Sequence, residues 1–213
     1  MGDVELKEAR KVVIIMGEKE AGKVVTGFSE PWVAKYSASG GTITYSDAMK
    51  LARGVSVDIS PSASDSNKFY ADNQEAESAP KHFTGGTLNL TVDGLLIAAE
   101  RFLMGLPAAD TDGFTAYGDS MKTPYVGVGY IVRYMSGGVE SFVPTIIVKA
   151  MFDIPEGSAS TQEEEIDWQT QQLSANIFRG DDANHNWKYV GKDYATEAEA
   201  LTALKTKLGV STT

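Results

Sequence analysis

Gly17 to Lys23, GEKEAGK, has the residue types and spacing of a phosphate-binding loop: an apolar run, Val12 to Met16, precedes it and a Gly-Lys pair closes it. Such a loop needs backbone N–H groups curled round the phosphates, a lysine, a Ser or Thr hydroxyl for the magnesium ion, and a helix whose N-terminus faces the anion. Val24 stands where the hydroxyl belongs. The residues after it, Val24 to Pro31, are β-branched and interrupted by glycine and proline, which makes a poor helix. The stretch therefore reads as two strands joined by a polar turn, Gly17 to Gly22.

The other chemistry-bearing residues lack their context in the same way. Gly118-Asp119-Ser120-Met121 has the letters of an esterase nucleophile block, but it falls in a mid-chain loop with no strand before it. His82 and His185 have neighbours that fit no zinc spacing. Asp181 to Asn186, DDANHN, lacks the alternating oxygen ligands and closing glutamate of a calcium loop and reads as a polar turn. Asn89-Leu90-Thr91 is a glycosylation sequon by letters alone. With no cysteine in the chain, thiolate metal sites, disulfides and cysteine nucleophiles are excluded together. No catalytic residue, metal or cofactor is expected, and the sequence points to a structural role.

The 213 residues, 42% of them hydrophobic, suffice for one sizeable core. Met1 to Arg10 is charged, with no long apolar segment behind it, so neither a signal peptide nor a membrane span is expected, and synthesis in a cytoplasm is. A net charge of −10 argues against holding DNA or an anionic membrane through clustered cations.

The elements expected around these residues are mostly strands. Arg53 to Pro61 alternates, with Val55, Val57 and Ile59 on one face, and Gly86 to Asp93 does the same with Leu88, Leu90 and Val92. Between them, Lys68 to Asp72 is a short strand candidate, and Asn73 to Pro80 is too polar to pack. Leu95 to Leu103 has helical spacing, with Asp93 as a possible N-cap and Gly105 and Pro107 as the stop. Ala108 to Thr123 reads as loop. Pro124 to Met135 and Ser141 to Pro155 flank a Gly137-Gly138 turn, which predicts a hairpin. Ile166 to Phe178 reads as a strand and Asn186 to Tyr194 as its partner. Thr196 to Glu199 is a capping box opening a C-terminal helix with Leu201, Leu204 and Leu208 on one stripe. The sum is about eight strands and two helices.

In this order, VSVDISPSASDSNKFYADN (Val55 to Asn73), GGTLNLTVDGL (Gly85 to Leu95), PYVGVGYIVRY (Pro124 to Tyr134) and EIDWQTQQLSANI (Glu165 to Ile177) resemble the blocks of the major tail proteins, or tail tube proteins, of long-tailed bacteriophages. The resemblance implies a mainly β fold: a β-sandwich or half-barrel with one short flanking helix and a C-terminal helix, residues 1–213 forming one tail-tube domain. It further implies a self-assembling virion protein whose hexameric rings stack into the tail tube. DNA passes through the lumen without specific binding, and tail-terminator, tape-measure and distal-tail proteins are the partners.

On that resemblance, Asp58 and Asp93, sent away from the apolar faces by alternation, are candidates for an acidic lumen lining. The N-terminal hairpin or arm, about residues 10–52, and the loop at about 155–165 are candidate assembly elements. Their contact residues are Gly17, Glu18, Lys19, Glu20, Gly22 and Lys23 in the first, and Glu156, Glu163, Glu164 and Glu165 in the second. A hairpin confined to its own domain is the other reading of the first element. Two alternative functions remain: the tube protein of a contractile injection machine, and a monomeric β-sandwich that stacks Trp32, Trp168 or Trp187 on a carbohydrate.

Overall fold

Val24 begins a sixteen-residue strand, β1 (Val24–Ser39), where a phosphate loop would have required a helix. The computed structural model describes residues 22–65, 68–71, 74–78, 80–119, 121–157, 161 and 169–210. Gly17 to Glu20, Glu163 to Glu165, Trp168 and Ser120 lie outside these. Beyond β1 the chain forms β2 (Thr42–Lys50), β3 (Gly54–Ala63), β4 (Lys68–Ala71), β5 (Gln74–Ser78), β6 (Phe83–Val92) and α1 (Ile97–Met104). It continues through β7 (Val126–Ser136), β8 (Val139–Phe152), β9 (Gln171–Phe178), β10 (Lys188–Val190) and α2 (Glu197–Lys207). The mainly β architecture expected from the sequence is the one observed.

One open antiparallel sheet runs β2-β1-β7-β8-β9-β6-β3, with β10 also paired to β8. Gly40-Gly41 and Gly137-Gly138 turn the two main hairpins, each pair with positive φ at both residues, the geometry that matches the twist of paired strands. The sheet curls, because β3 crosses back towards β1 and the Phe28 ring packs against Gly54. Two bulges make the curl possible. Ser29 and Trp32 face Ile131 and Gly129, an extra residue in β1 where Glu30 takes φ +53°. Val126 and Val128 face Ala150 and Ile147, an extra residue in β8. Each bulge reverses which residues point inward: Phe28 and Val33 in β1, and Ile147 and Ala150 in β8, all reach the same core.

That core, on the concave face, joins Leu88, Leu90 and Val92 of β6 to Val126, Val128 and Tyr130 of β7, with Leu103 and Met104 of α1 closing it. The convex face carries a second cluster: Ala34, Ile131 and Ile146 under Ala200 and Leu204 of α2 and Leu208 at its C-terminal cap. The two glycines in the Val-Gly-Val-Gly of β7 explain this docking. A Cβ on Gly129 would lie 2.8 Å from the Cδ1 atoms of both Leu204 and Leu208, and one on Gly127 would lie 2.3 Å from the Tyr45 ring. Valine faces the core and glycine makes room for what packs on the other side. The capping box forms in part: the Thr196 hydroxyl accepts from the Glu199 N–H at 3.3 Å.

Four expectations need correction. Asp93 does not cap α1; Leu96 occupies the cap without a side-chain bond, and the Asp93 carboxylate is taken by Arg53, which offers both its N–H and its Nε. Residues 74–78 are not a bare loop but β5, paired with β4 as a two-stranded extension of the β3–β6 hairpin; backbone pairing needs no apolar side chains. β10 pairs with β8 instead of β9, because β9 takes only Lys149 to Phe152 and leaves Thr145 to Ile147 open. Val55 is 54% exposed, since a register shift between Gly54 and Ser56 separates it from Val57 and Ile59, which pack on the core.

Candidate assembly surface

Lys23 forms an ion pair with Asp193, and its Nζ lies 5.8 Å from the centroid of the Tyr134 ring. Its charge is thereby used within the fold, and Gly22 beside it is exposed. Lys23 holds the Asp193 carboxyl below the ordinary carboxylate range.

Both histidines are hydrogen-bonded within the fold. His82 Nδ1 lies 3.1 Å from the Ser64 hydroxyl, and the Ser64 oxygen also accepts from the His82 N–H. His185, with φ +53°, places Nδ1 3.1 Å from the Gly180 carbonyl. In the same turn Asp182 accepts from the N–H and the Nδ2 of Asn186. Among the described residues no three His, Asp or Glu side chains gather as metal ligands. Gly118 and Met121 belong to a tight turn in which the Met121 N–H donates to the Gly118 carbonyl. No described helix is long and apolar enough to cross a membrane.

Both described tryptophans have ring faces already engaged. Trp187 stacks on Phe83 with centroids 4.5 Å apart and planes 10° from parallel. Trp32 has Lys205 Nζ 4.7 Å above its ring, while its Nε1 donates to Glu30 at 3.1 Å. Burial would raise the Glu30 pKa, but hydrogen bonds from Lys50 and Trp32 outweigh that and hold the carboxyl low. Asp181 is also held low, first by the ammonium of Lys149, which donates at 2.8 Å, and then by the Tyr36 hydroxyl at 3.0 Å. The Lys149 ammonium lies 4.4 Å from the Tyr125 ring and 5.2 Å from that of Tyr36. This network ties β1, β8 and the turn after β9 together.

Among the described residues, the pair of sheet ends has no internal use. β2 and β3 close the strand order, each hydrogen-bonded to one neighbour only among the described strands. Pro61 in β3 accords with an edge position, since proline cannot donate to a ladder on both sides. In β2, Asp47 takes φ +50° beside a register shift, so Thr42 to Ser46 is the regular part of that edge. Asp58 is exposed on β3, opposite Asn89. Asp93 is exposed too, but its charge is matched by Arg53, which leaves Asp58 the stronger source of negative potential. Glu156 is exposed at the start of the segment after β8, where its carbonyl accepts from Gln171 Nε2 at 2.9 Å. The edge identities are not legible in the sequence, because strand order depends on long-range pairing; Pro61 is a local signal of one of them.

Compared with protein-family models and with curated proteins, the chain matches none.

Proposed function

We propose that this chain is a structural virion protein, a protomer that joins edge to edge into rings stacked as the tube of a long phage tail. The observation that carries the reading is the open sheet, in which β2 and β3 each keep one edge unpaired among the described strands. Such edges template uncontrolled pairing in a monomer. In a ring each becomes a joint, with β2 of one copy against β3 of the next, a head-to-tail contact that closes when the rotation per copy divides a full turn.

The order of elements, with a short helix after β6 and a second helix at the C-terminal end, is the one the resemblance to tail tube proteins implies. The β4–β5 extension and the segment between β8 and β9 are the elements available for contacts between rings. A net charge of −10 suits a conduit, because like charge withholds the counterion-release affinity that would hold DNA in the lumen. In this reading the tail-terminator, tape-measure and distal-tail proteins are its neighbours in the virion.

Negative-stain microscopy of the concentrated protein tests the proposal. Rings or tubes of uniform diameter are expected. A protein that stays monomeric by sedimentation up to its solubility limit, and shows no ring in the microscope, refutes it.

A further inference from the structure

We infer that residues 12–16, Val-Val-Ile-Ile-Met, dock on their own molecule over the apolar cleft between β1 and β3. The cleft, about 410 Å³, is walled by Val25 and Phe28 of β1, Tyr130 and Val132 of β7, and Val55 and Val57 of β3. It is incompletely covered: Val25 is 60% exposed and Val55 54%, with Val24 at 64% beside them.

The backbone around it is open as well. Val24 to Ser29 pair with β7 on one side and with no described strand on the other, because β2 begins its pairing only at Trp32. The unpaired edge of β1 thus borders an apolar cleft, a surface that accepts one more strand: main-chain bonds along the edge and alternate side chains into the hollow.

The occupant follows from where the chain enters. Lys23 is anchored by Asp193 and by the Tyr134 ring, and Tyr134 itself lines the cleft. Gly22 and Lys23 thus lead into β1 at the mouth of the cleft. Seven residues, 17–23, separate Met16 from Val24, with glycines at positions 17 and 22. That is enough to reverse direction, since hairpin loops commonly take about 2–5 residues. Val12 to Met16 is the one run of five consecutive apolar residues in the N-terminal twenty-three, and an antiparallel return along β1 brings it over the cleft. Nothing in this docking requires assembly into a tube.

The absence of cysteine in the chain allows a direct test. Full-length variants carry Ile14→Cys or Ile15→Cys together with Val25→Cys on one wall or Val55→Cys on the other. They are oxidised or treated with a short bismaleimide at low protein concentration. At least one pair to each wall is expected to link within the chain, giving a faster-migrating monomer that has lost both free thiols. Links only between chains, or none to Val55, overturn the proposal. In otherwise wild-type protein, Ile14→Asp and Ile15→Asp are compared by melting. Alternation predicts that the inward member lowers the melting temperature by roughly 5 °C or more beyond the outward one. Equal shifts overturn it.

Discussion

The seat of α2 on β7 makes the sharpest energetic prediction. Leu204 is fully buried between the helix and the convex face of the sheet, and Gly129 lies directly beneath it. Leu204→Ala removes three buried carbons and leaves a cavity, a change that costs about 2–5 kcal/mol. A chain of this size loses about 2–4 °C of melting temperature per kcal/mol, so a cost of about 3 kcal/mol lowers the melting temperature by about 6–12 °C. Gly129→Ala pushes a methyl to 2.8 Å from two leucine Cδ1 atoms, an overpacking that costs about 1–3 kcal/mol. Relief of glycine's backbone entropy, roughly 0.5–1 kcal/mol, partly offsets it. The two changes compensate in part, because the added methyl enters space that Leu204 has vacated while its contact with Leu208 remains. Urea melts of both single variants and the double variant, followed by circular dichroism, give the coupling. The double variant is expected to be more stable than the sum of the single losses by about 1 kcal/mol or more. If the losses add within about 0.5 kcal/mol, α2 does not rest on Gly129 and the account of the Val-Gly-Val-Gly strand is wrong.

Lys23→Ala removes an exposed ion pair with Asp193, and the melting temperature is expected to stay close to that of the unaltered protein. It leaves any ATP affinity unchanged; micromolar binding in calorimetry that vanishes with Lys23 contradicts this. Acid stability follows from Glu30 and Asp181, whose carboxyls lie below their ordinary values in the folded chain. A depressed folded pKa supplies stability that is complete above the unfolded value, about 4, and is lost as pH falls through the folded one. The urea midpoint should therefore fall as pH drops below about 4.5, and Asp181→Asn, costing about 0.5–1 kcal/mol at pH 7, should flatten that fall; identical pH slopes for both proteins refute the assignment. Deleting residues 158–162 is expected to leave circular dichroism and monomer melting unchanged while abolishing rings and tubes; normal tubes would make that segment a plain connector.

The sequence by itself carried much of what depends on short spacing. The alternation of Val57 and Ile59 and of Leu88, Leu90 and Val92, the Gly-Gly turn between β7 and β8, and the leucine stripe of α2 are local patterns. Each forms as written because one face of a strand or helix must leave water. The same locality explains why the phosphate-loop outline failed at Val24: β-branched residues favour a strand, and β1 is one. What only the tertiary structure decided is pairing. Nothing near Lys188 says that β10 joins β8, because the vacancy it fills depends on how far β9 extends along that strand. Likewise, the partner of Asp93 is Arg53, forty residues away in sequence, and a helix cap could not be told from a strand-end ion pair before the two strand ends were brought together. The bulges at Glu30 and beside Val148 reverse side-chain parity inside runs whose sequence shows no break, since the extra residue is defined only against the partner strand. The open edges of β2 and β3, on which the proposed assembly rests, are of this second kind: an edge is a property of the whole strand order.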